Sequence, residues 1–334
     1  MNRNNKIIQT IRNGNGFIIL GHVNPDGDSV GSMLALALYL KKEAGKRVFL
    51  PAPVEWPGRY RFLEKHRDGT GTPPTGDIDA LIILDCSTPD RIDWGTLTPD
   101  DFDSIPRIVI DHHVEGFPFG DLNWINAGAS AVGEMVYEML TLLGAEITPP
   151  IAEALYSAII TDTGRFTFAN TSARALEICS NLIRRGGIEP SVIAKQLYFN
   201  FSEEYFRNIG IALYNSRTYC DAKIVFLTLD NASVRSFSTS FEDTEGIVDL
   251  ALNLRGVELA ALFKEIDENV TNVSLRSRGN IDITPVAAEF GGGGHRNAAG
   301  CTLNMPLSLA QNTLLERLEK LLDKTKRKVD IDTV

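Results

Sequence analysis

The sequence predicts an α/β protein of two domains: a larger one built on a parallel sheet with helices on both faces, then a smaller α/β one. Three observations carry this expectation. The 334 residues divide into about two domains at roughly 150 residues each. Hydrophobic residues make up 43% and charged residues 23%, enough to bury a core in each domain and too apolar for wholesale disorder. Short apolar runs alternate with helix-period segments through the first half, the pattern of a parallel sheet covered on both sides.

Taken in order, residues 17–20 read as a buried strand, 29–42 as a helix closed by Gly45, and 48–50 as a second strand. Residues 80–84 and 108–110 are further apolar runs, each ending at an aspartate. Helical patterns follow over 131–143, 151–160 and 173–185, each closed by a glycine or a polar turn. The pattern breaks around 186–190, and 192–198 reads as a connecting helix. A second alternation begins near Tyr219, with a strand at 224–229, a helix at 246–254, strands near 259–265 and 273–278, and a last helix at 309–323. The expected limits are therefore 1–190 for the first domain, 191–215 for a connecting helix and linker, and 216–330 for the second.

Lys and Arg number 33 against 43 Asp and Glu, a net charge of −10. That argues against a protein that coats long duplex nucleic acid, whose affinity rests on neutralised phosphates. A small phosphorylated substrate stays open, because a metal or a local basic patch inverts the field. The four cysteines (Cys86, Cys179, Cys220, Cys301) form no CxxC pair, so neither a zinc ribbon nor a disulfide framework is expected and a reducing compartment fits. The opening residues lack the apolar stretch of a signal peptide, and the longest greasy runs fall short of the roughly 20 residues of a membrane span. The expectation is a soluble, cytoplasmic protein without membrane contact.

The ends of the apolar runs carry the chemistry. Residues 17–20 lead into Gly21-His22-Val23-Asn24-Pro25-Asp26-Gly27-Asp28; 80–84 leads into Asp85; 108–110 leads into Asp111-His112-His113; the helix at 151–160 ends at Thr161-Asp162-Thr163-Gly164. In an open parallel sheet, ligands bind beyond the carboxyl ends of the strands, near the switch in strand order. Singly, each residue has an ordinary reading: Asp28 is an N-cap, Asp85 a turn residue, His22 a satisfied core histidine. As a set they are harder to dismiss, since four of the five histidines fall in these segments or in a glycine-rich stretch near residue 291. Four aspartates crowded at strand ends repel one another unless cations offset them. Two divalent ions would do so, as in two-metal hydrolases. Oxygen and imidazole donors without thiolate favour Mn²⁺, with Mg²⁺, Co²⁺ or Fe²⁺ as alternatives.

His22-x-x-x-Asp26-x-Asp28, the isolated Asp85, Asp111-His112-His113 and Asp162 resemble the four motifs of the DHH phosphoesterase superfamily. GHVNPDGDSVGSMLAL and TDTGRFTFANTS are similar to its branch of nanoRNases that also remove the 3′ phosphate from 3′-phosphoadenosine 5′-phosphate (pAp). The resemblance covers nearly the whole chain, because the glycine-rich segment resembles the DHH-associated C-terminal domain. It implies that His22 and Asp26 bind one metal, Asp28 and His112 the other, with Asp85 and Asp162 shared or nearby. Asp111 would orient His112 and fix its tautomer. His113 would meet the scissile phosphate or leaving oxygen as hydrogen-bond donor or general acid. A homodimer is implied by resemblance alone.

The stretch Gly291-Gly292-Gly293-Gly294-His295-Arg296-Asn297-Ala298-Ala299-Gly300 is, by itself, a flexible loop. Between a helical lead-in and an apolar exit it suits a backbone cradle for an anion, and the resemblance makes Gly292, Gly293, Gly294 and His295 nucleotide contacts. Arg276 and Arg278 alternate on an expected strand, so both point to one face. That is either a solvated surface or, given the resemblance, a grip on the non-scissile end of the substrate. Arg165, just after Asp162, is a further candidate.

The function expected is two-metal hydrolysis of short oligoribonucleotides to mononucleotides and of pAp to AMP, in a cleft between the domains. The rival substrates on the same scaffold are linear or cyclic dinucleotides, then pyrophosphate or polyphosphate. A nucleotide-binding regulator with a dead metal site would lack a ligand, and none of the six is missing.

Overall fold

Five apolar runs form a sheet that is parallel throughout. The computed structural model describes residues 3–51, 56–67, 77–113, 118–241, 244–279 and 281–331. The chain divides into two units, Met1–Asn200 and Phe201–Val334, the division falling inside the stretch 191–215.

The first unit runs α1 (Arg3–Asn13), β1 (Gly16–Leu20), α2 (Gly27–Leu38), β2 (Arg47–Phe49), β3 (Ala80–Leu84), β4 (Arg107–Asp111), β5 (Leu122–Ile125), α3 (Val132–Leu143), α4 (Pro149–Asp162), α5 (Ala173–Gly186) and α6 (Pro190–Tyr198). The strand order is β2-β1-β3-β4-β5, every neighbour pair parallel. β1 and β3 are buried at every position, which is why they read as unbroken apolar runs rather than alternations. Phe17, Ile19, Ile82, Leu84, Ile108 and Ile110 face the α-helices. Ile18, Leu20, Leu81, Ile83 and Val109 face the opposite side. Helical segments cover the two faces unequally: α-helices pack on the first, whereas Ile92, Trp94, Leu97 and Phe102, around short 3₁₀ turns, close the second.

Because β2 lies on one side of β1 and β3 on the other, strand order switches between β1 and β3, opening a crevice at their carboxyl ends. The helix expected over 29–42 is α over Gly27–Leu38 and then widens into a π turn over Tyr39–Glu43. Helices α2 and α4 approach closely because Gly31 has no side chain: a Cβ there would stand 2.4 Å from the Ala154 carbonyl oxygen and 2.9 Å from the Ala158 Cβ. Gly31→Val is expected to destabilise the first unit by about 3 kcal/mol through overpacking, read as a lower urea midpoint at unchanged slope.

The second unit runs α7 (Glu203–Tyr214), β6 (Arg217–Tyr219), β7 (Ile224–Leu229), α8 (Asn231–Ser236), α9 (Ile247–Ala251), β8 (Leu259–Asp267), β9 (Val270–Ser277), α10 (Thr284–Glu289), β10 (Gly293–His295), β11 (Ala298–Leu303) and α11 (Leu307–Ile331). Its six-stranded sheet, β10-β11-β9-β8-β7-β6, is mixed, only β7 and β8 being parallel. Two cores flank it: Leu259, Ala261, Phe263 and Leu275 pack with α10 and α11, and Ala260, Leu262, Val225 and Leu227 with α7, α8 and α9. Among the described residues no helix is long and apolar enough to cross a membrane.

Candidate metal centre

Each motif sits where a strand or helix ends. Just past β1, His22 forms an isolated bridge with Ile92. Asn24, at φ 56°, turns the chain back in the left-handed conformation that Asn tolerates. Asp26 then N-caps α2, its Oδ1 accepting the amides of Asp28 and Ser29 at 3.0 Å each. Asp28 lies in the first turn of α2, fully buried, and its carboxylate accepts the amides of Val132 (2.6 Å) and Gly133 (2.8 Å) at the start of α3 and the Ser32 hydroxyl (3.0 Å). It therefore links two helix N-termini, where negative charge is favoured. Asp85 follows β3 directly, at φ 56°, Asp111 ends β4, and Asp162 is the last residue of α4.

These side chains converge. The His22 Nε2 lies 3.6 Å from Asp85 Oδ2 and 3.9 Å from Asp26 Oδ1. The His112 Nε2 lies 3.7 Å from Asp162 Oδ2, 3.8 Å from Asp28 Oδ2 and 3.8 Å from Asp85 Oδ1. Among the described residues His22, Asp26 and Asp85 form one donor group, Asp28, His112 and Asp162 a second, and Asp85, His112 and His113 a third that overlaps both, each with ligand atoms within 4.8 Å of one another. These separations are too long for hydrogen bonds and suit donors shared by an ion.

Both imidazoles are turned for this. His22 Nδ1 lies 2.8 Å from the Val23 carbonyl and His112 Nδ1 lies 3.1 Å from the Ala129 carbonyl. A carbonyl only accepts, so each Nδ1 donates and each Nε2 is directed at the carboxylates. Asp85 Oδ1 is buried with no hydrogen-bond donor, a costly arrangement without a cation. The donor set and this orphaned oxygen fit divalent ions.

Asp111 serves a different neighbour from the one expected. Its Oδ1 accepts from His113 Nδ1 at 2.6 Å and from the His112 amide at 2.9 Å. Ala129 holds the His112 ring, so Asp111 orients His113 instead. The physical reason is that the backbone leaving β4 carries the His112 ring toward the loop before α3, beyond the Asp111 carboxylate.

The charge balance follows from crowding. Burial opposes charging His22, but Asp26 and Asp85 outweigh it and push its pKa up to about 11. Burial likewise opposes charging His112, and Asp162, Asp28 and Asp85 together raise it to about 10. Burial, with the surrounding carboxylates, raises Asp28 well above its ordinary value and Asp162 to about 7. Burial also works against an ionised Asp111, yet the His113 ring holds its pKa below the usual value. His113, though buried, is raised by Asp111. Without cations the centre therefore retains protons that cations would displace.

The remaining predicted residues have their own surroundings. Arg165 is exposed, at φ 61°, with its guanidinium 5.0 Å from the Tyr198 ring centroid. In the second unit Arg276 Nε donates to Asp249 Oδ1 at 2.7 Å, and Arg278, just beyond β9, donates to the Leu252 carbonyl. The glycine run is a paired edge strand rather than a loop: Gly293, Gly294 and His295 face Gly300, Ala299 and Ala298 on β11. Strand approach explains two of its glycines, since a Cβ on Gly292 would lie 2.1 Å from the Gly300 oxygen and one on Gly294 2.4 Å from the Ala298 oxygen. Gly293 meets nothing within 4 Å. The side chain of His295 lies outside the described residues.

Three supporting residues were not foreseen: Ala129, Ser130 and Asn170. Asn170 stands inside TDTGRFTFANTS, and only its distance from Asp162 marked it.

Fold and site together define a two-domain α/β protein with a carboxylate and imidazole centre at a strand-order switch. Residues 16–159 match the DHH family, N-terminal domain, and residues 221–329 the DHHA1 domain. The sequence is 32% identical over 307 residues to the bifunctional oligoribonuclease and PAP phosphatase NrnA of Thermus thermophilus, covering 90% of this chain and 89% of that protein. It is 30% identical over 304 residues to the protein of the same name from Bacillus subtilis, covering 89% and 92%. Among solved structures, an exopolyphosphatase-related protein from Bacteroides fragilis superposes with a TM-score of 0.83 at 26% identity, covering 98% of this chain and 97% of that one. The chain belongs to the DHH phosphoesterase family and is a hydrolase of phosphoester bonds. Its family uses divalent metals, and these acidic and histidine groups are able to bind them.

Proposed function

We propose that the protein hydrolyses short oligoribonucleotides to mononucleotides and pAp to AMP, with two divalent cations, Mn²⁺ favoured, held by His22, Asp26, Asp28, Asp85, His112 and Asp162. The observation that carries this reading is Asp85, whose two oxygens reach His22 on one side and His112 on the other. The names of the relatives from T. thermophilus and B. subtilis support the substrates.

The cations would supply positive charge that polarises the phosphate and eases deprotonation of the attacking water. The chain's own residues do the rest. Asp28 and Asp85 are buried and fixed, so the donors need no reorganisation when substrate arrives. Asp111 holds the proton on His113 Nδ1 and favours the charged ring. His113 Nε2 then carries a second proton, which it hands to the leaving oxygen. In the second unit, Asp249 fixes the Arg276 guanidinium in one orientation, and the open edge at Gly293 admits a close approach of nucleotide. Only a few phosphates are engaged, which accords with a net charge of −10. The buried thiols of Cys86, Cys179 and Cys301 support a cytoplasmic location.

The test is Mn²⁺-dependent hydrolysis of labelled RNA of two to five nucleotides beside pAp, linear and cyclic diadenylate, and pyrophosphate. The short RNAs and pAp are expected to be cleaved fastest, to mononucleotides and AMP. A preference for pyrophosphate or a cyclic dinucleotide would overturn the assignment.

A further inference from the structure

Two residues of the second donor group reach it from segments far apart, His112 after β4 and Asp162 at the end of α4, and one side chain spans both. Asn170 Nδ2 donates to the Asp162 carbonyl (3.1 Å) and approaches its carboxylate Oδ2 (3.3 Å), and it also donates to the Ser130 carbonyl at 3.0 Å. Ser130 adjoins Ala129, whose carbonyl holds the His112 ring. Ser130 is itself fully buried and fastened at every polar atom. Its amide donates to Glu134 Oε2 (3.1 Å), and its hydroxyl donates to the Asn170 carbonyl (2.6 Å), accepts the Ser172 amide (3.1 Å) and lies 3.0 Å from the Ser172 hydroxyl. A displacement of Asn170 therefore moves both the Asp162 carboxylate and the peptide that aims His112.

We propose that Asn170 is a positioning residue that sets the 3.7 Å separation of His112 Nε2 and Asp162 Oδ2, and with it the affinity of the second cation position. The inference rests on the two-cation reading above. It assigns Asn170 no contact with substrate. Outer partners of this kind govern metal affinity by about 10- to 100-fold, and an amide is required because both of its targets on this side are oxygens that only accept.

The experiment is Mn²⁺ titration of the full chain by calorimetry and by the electron paramagnetic resonance of free Mn²⁺, for wild type, Asn170→Ala, Asn170→Asp and Asn170→Ser. Asn123→Ala, a lost amide on β5 away from the centre, serves as control. Wild type and control are expected to bind two Mn²⁺ with equal affinities. Asn170→Ala should weaken one of the two by about 10-fold or more and raise by a similar factor the Mn²⁺ needed for half-maximal hydrolysis, with kcat recovering at saturating Mn²⁺. Asn170→Asp, which places a carboxylate oxygen where an NH₂ group now donates to two carbonyl oxygens, should weaken it at least as much. Asn170→Ser, which keeps a donor hydroxyl, should recover part of the lost affinity. Wild-type affinity at both positions in Asn170→Ala, or in Asn170→Asp should the alanine variant fail to fold, would overturn the proposal. Fewer than two Mn²⁺ on the wild type would instead overturn the two-cation reading.

Discussion

Replacing Asp85 with asparagine is expected to lower turnover by about four orders of magnitude while leaving the fold intact. The carboxylate lies between the two imidazoles, one oxygen 3.6 Å from His22 Nε2 and the other 3.8 Å from His112 Nε2, and losing several kcal/mol of charge stabilisation corresponds to roughly that factor at about 1.4 kcal/mol per tenfold. Asparagine keeps the backbone comfortable, since the residue sits at φ 56° and Asn accepts the left-handed region. Calorimetric stoichiometry should fall below two Mn²⁺. Hydrolysis of pAp or short RNA at near wild-type rates by Asp85→Asn would remove the basis of the two-cation centre.

The second large effect is thermal and runs in opposite directions with and without metal. In the cation-free protein His22 and His112 are raised from 6.5 to about 11 and about 10, and Asp162 from 3.8 to about 7. Groups raised on folding bind more protons in the native state than in the unfolded one, so their contribution is complete below the unfolded pKa and is lost as pH rises through the folded value. The melting temperature of the metal-free first unit should therefore decline from about pH 4 to about pH 11. Cations compete for the same atoms and displace protons, so stabilisation by Mn²⁺ should grow over the same interval. At 100 times the dissociation constant each ion contributes about 2.7 kcal/mol, and two together about 10 to 20 °C for a unit of this size. Scanning calorimetry at several pH values, with Mn²⁺ and with chelator, measures both slopes. A Mn²⁺ increment that shrinks as pH rises would contradict the assignment of these imidazoles and carboxylates as ligands.

Much of this site was legible before any coordinates, because parallel strands buried on both faces leave few readings for a run such as residues 80–84. The aspartates closing such runs had to gather at one edge of the sheet. What was not legible lay in hydrogen bonds that the chain makes with itself across long separations. The Asp111 carboxylate was expected to orient the adjacent His112 and instead orients His113, a matter of ring direction that residue spacing does not encode. Asn170 carries no chemistry of its own and becomes informative only once Ser130 is placed beside it. The glycines at 292 and 294 read as freedom and prove to be close packing against β11. Helix α1, with Ile7 and Ile11 on its buried face, and the short edge strand β5, half-exposed at Leu122 and Asn123, offered too little periodicity to declare themselves. Helix α7 fell within the expected linker because exposed Phe206 and Leu213 blur its apolar face.

The close seating of α2 on α4 has a consequence for biogenesis. His22 and Asp162 stand 140 residues apart, and the second donor group does not exist until α4 has docked. Chains emerge from the ribosome amino end first, so the early-translated His22, Asp26 and Asp28 meet the cytosol long before their later partners. On the two-cation reading, binding at the second donor group therefore waits until α4 has docked.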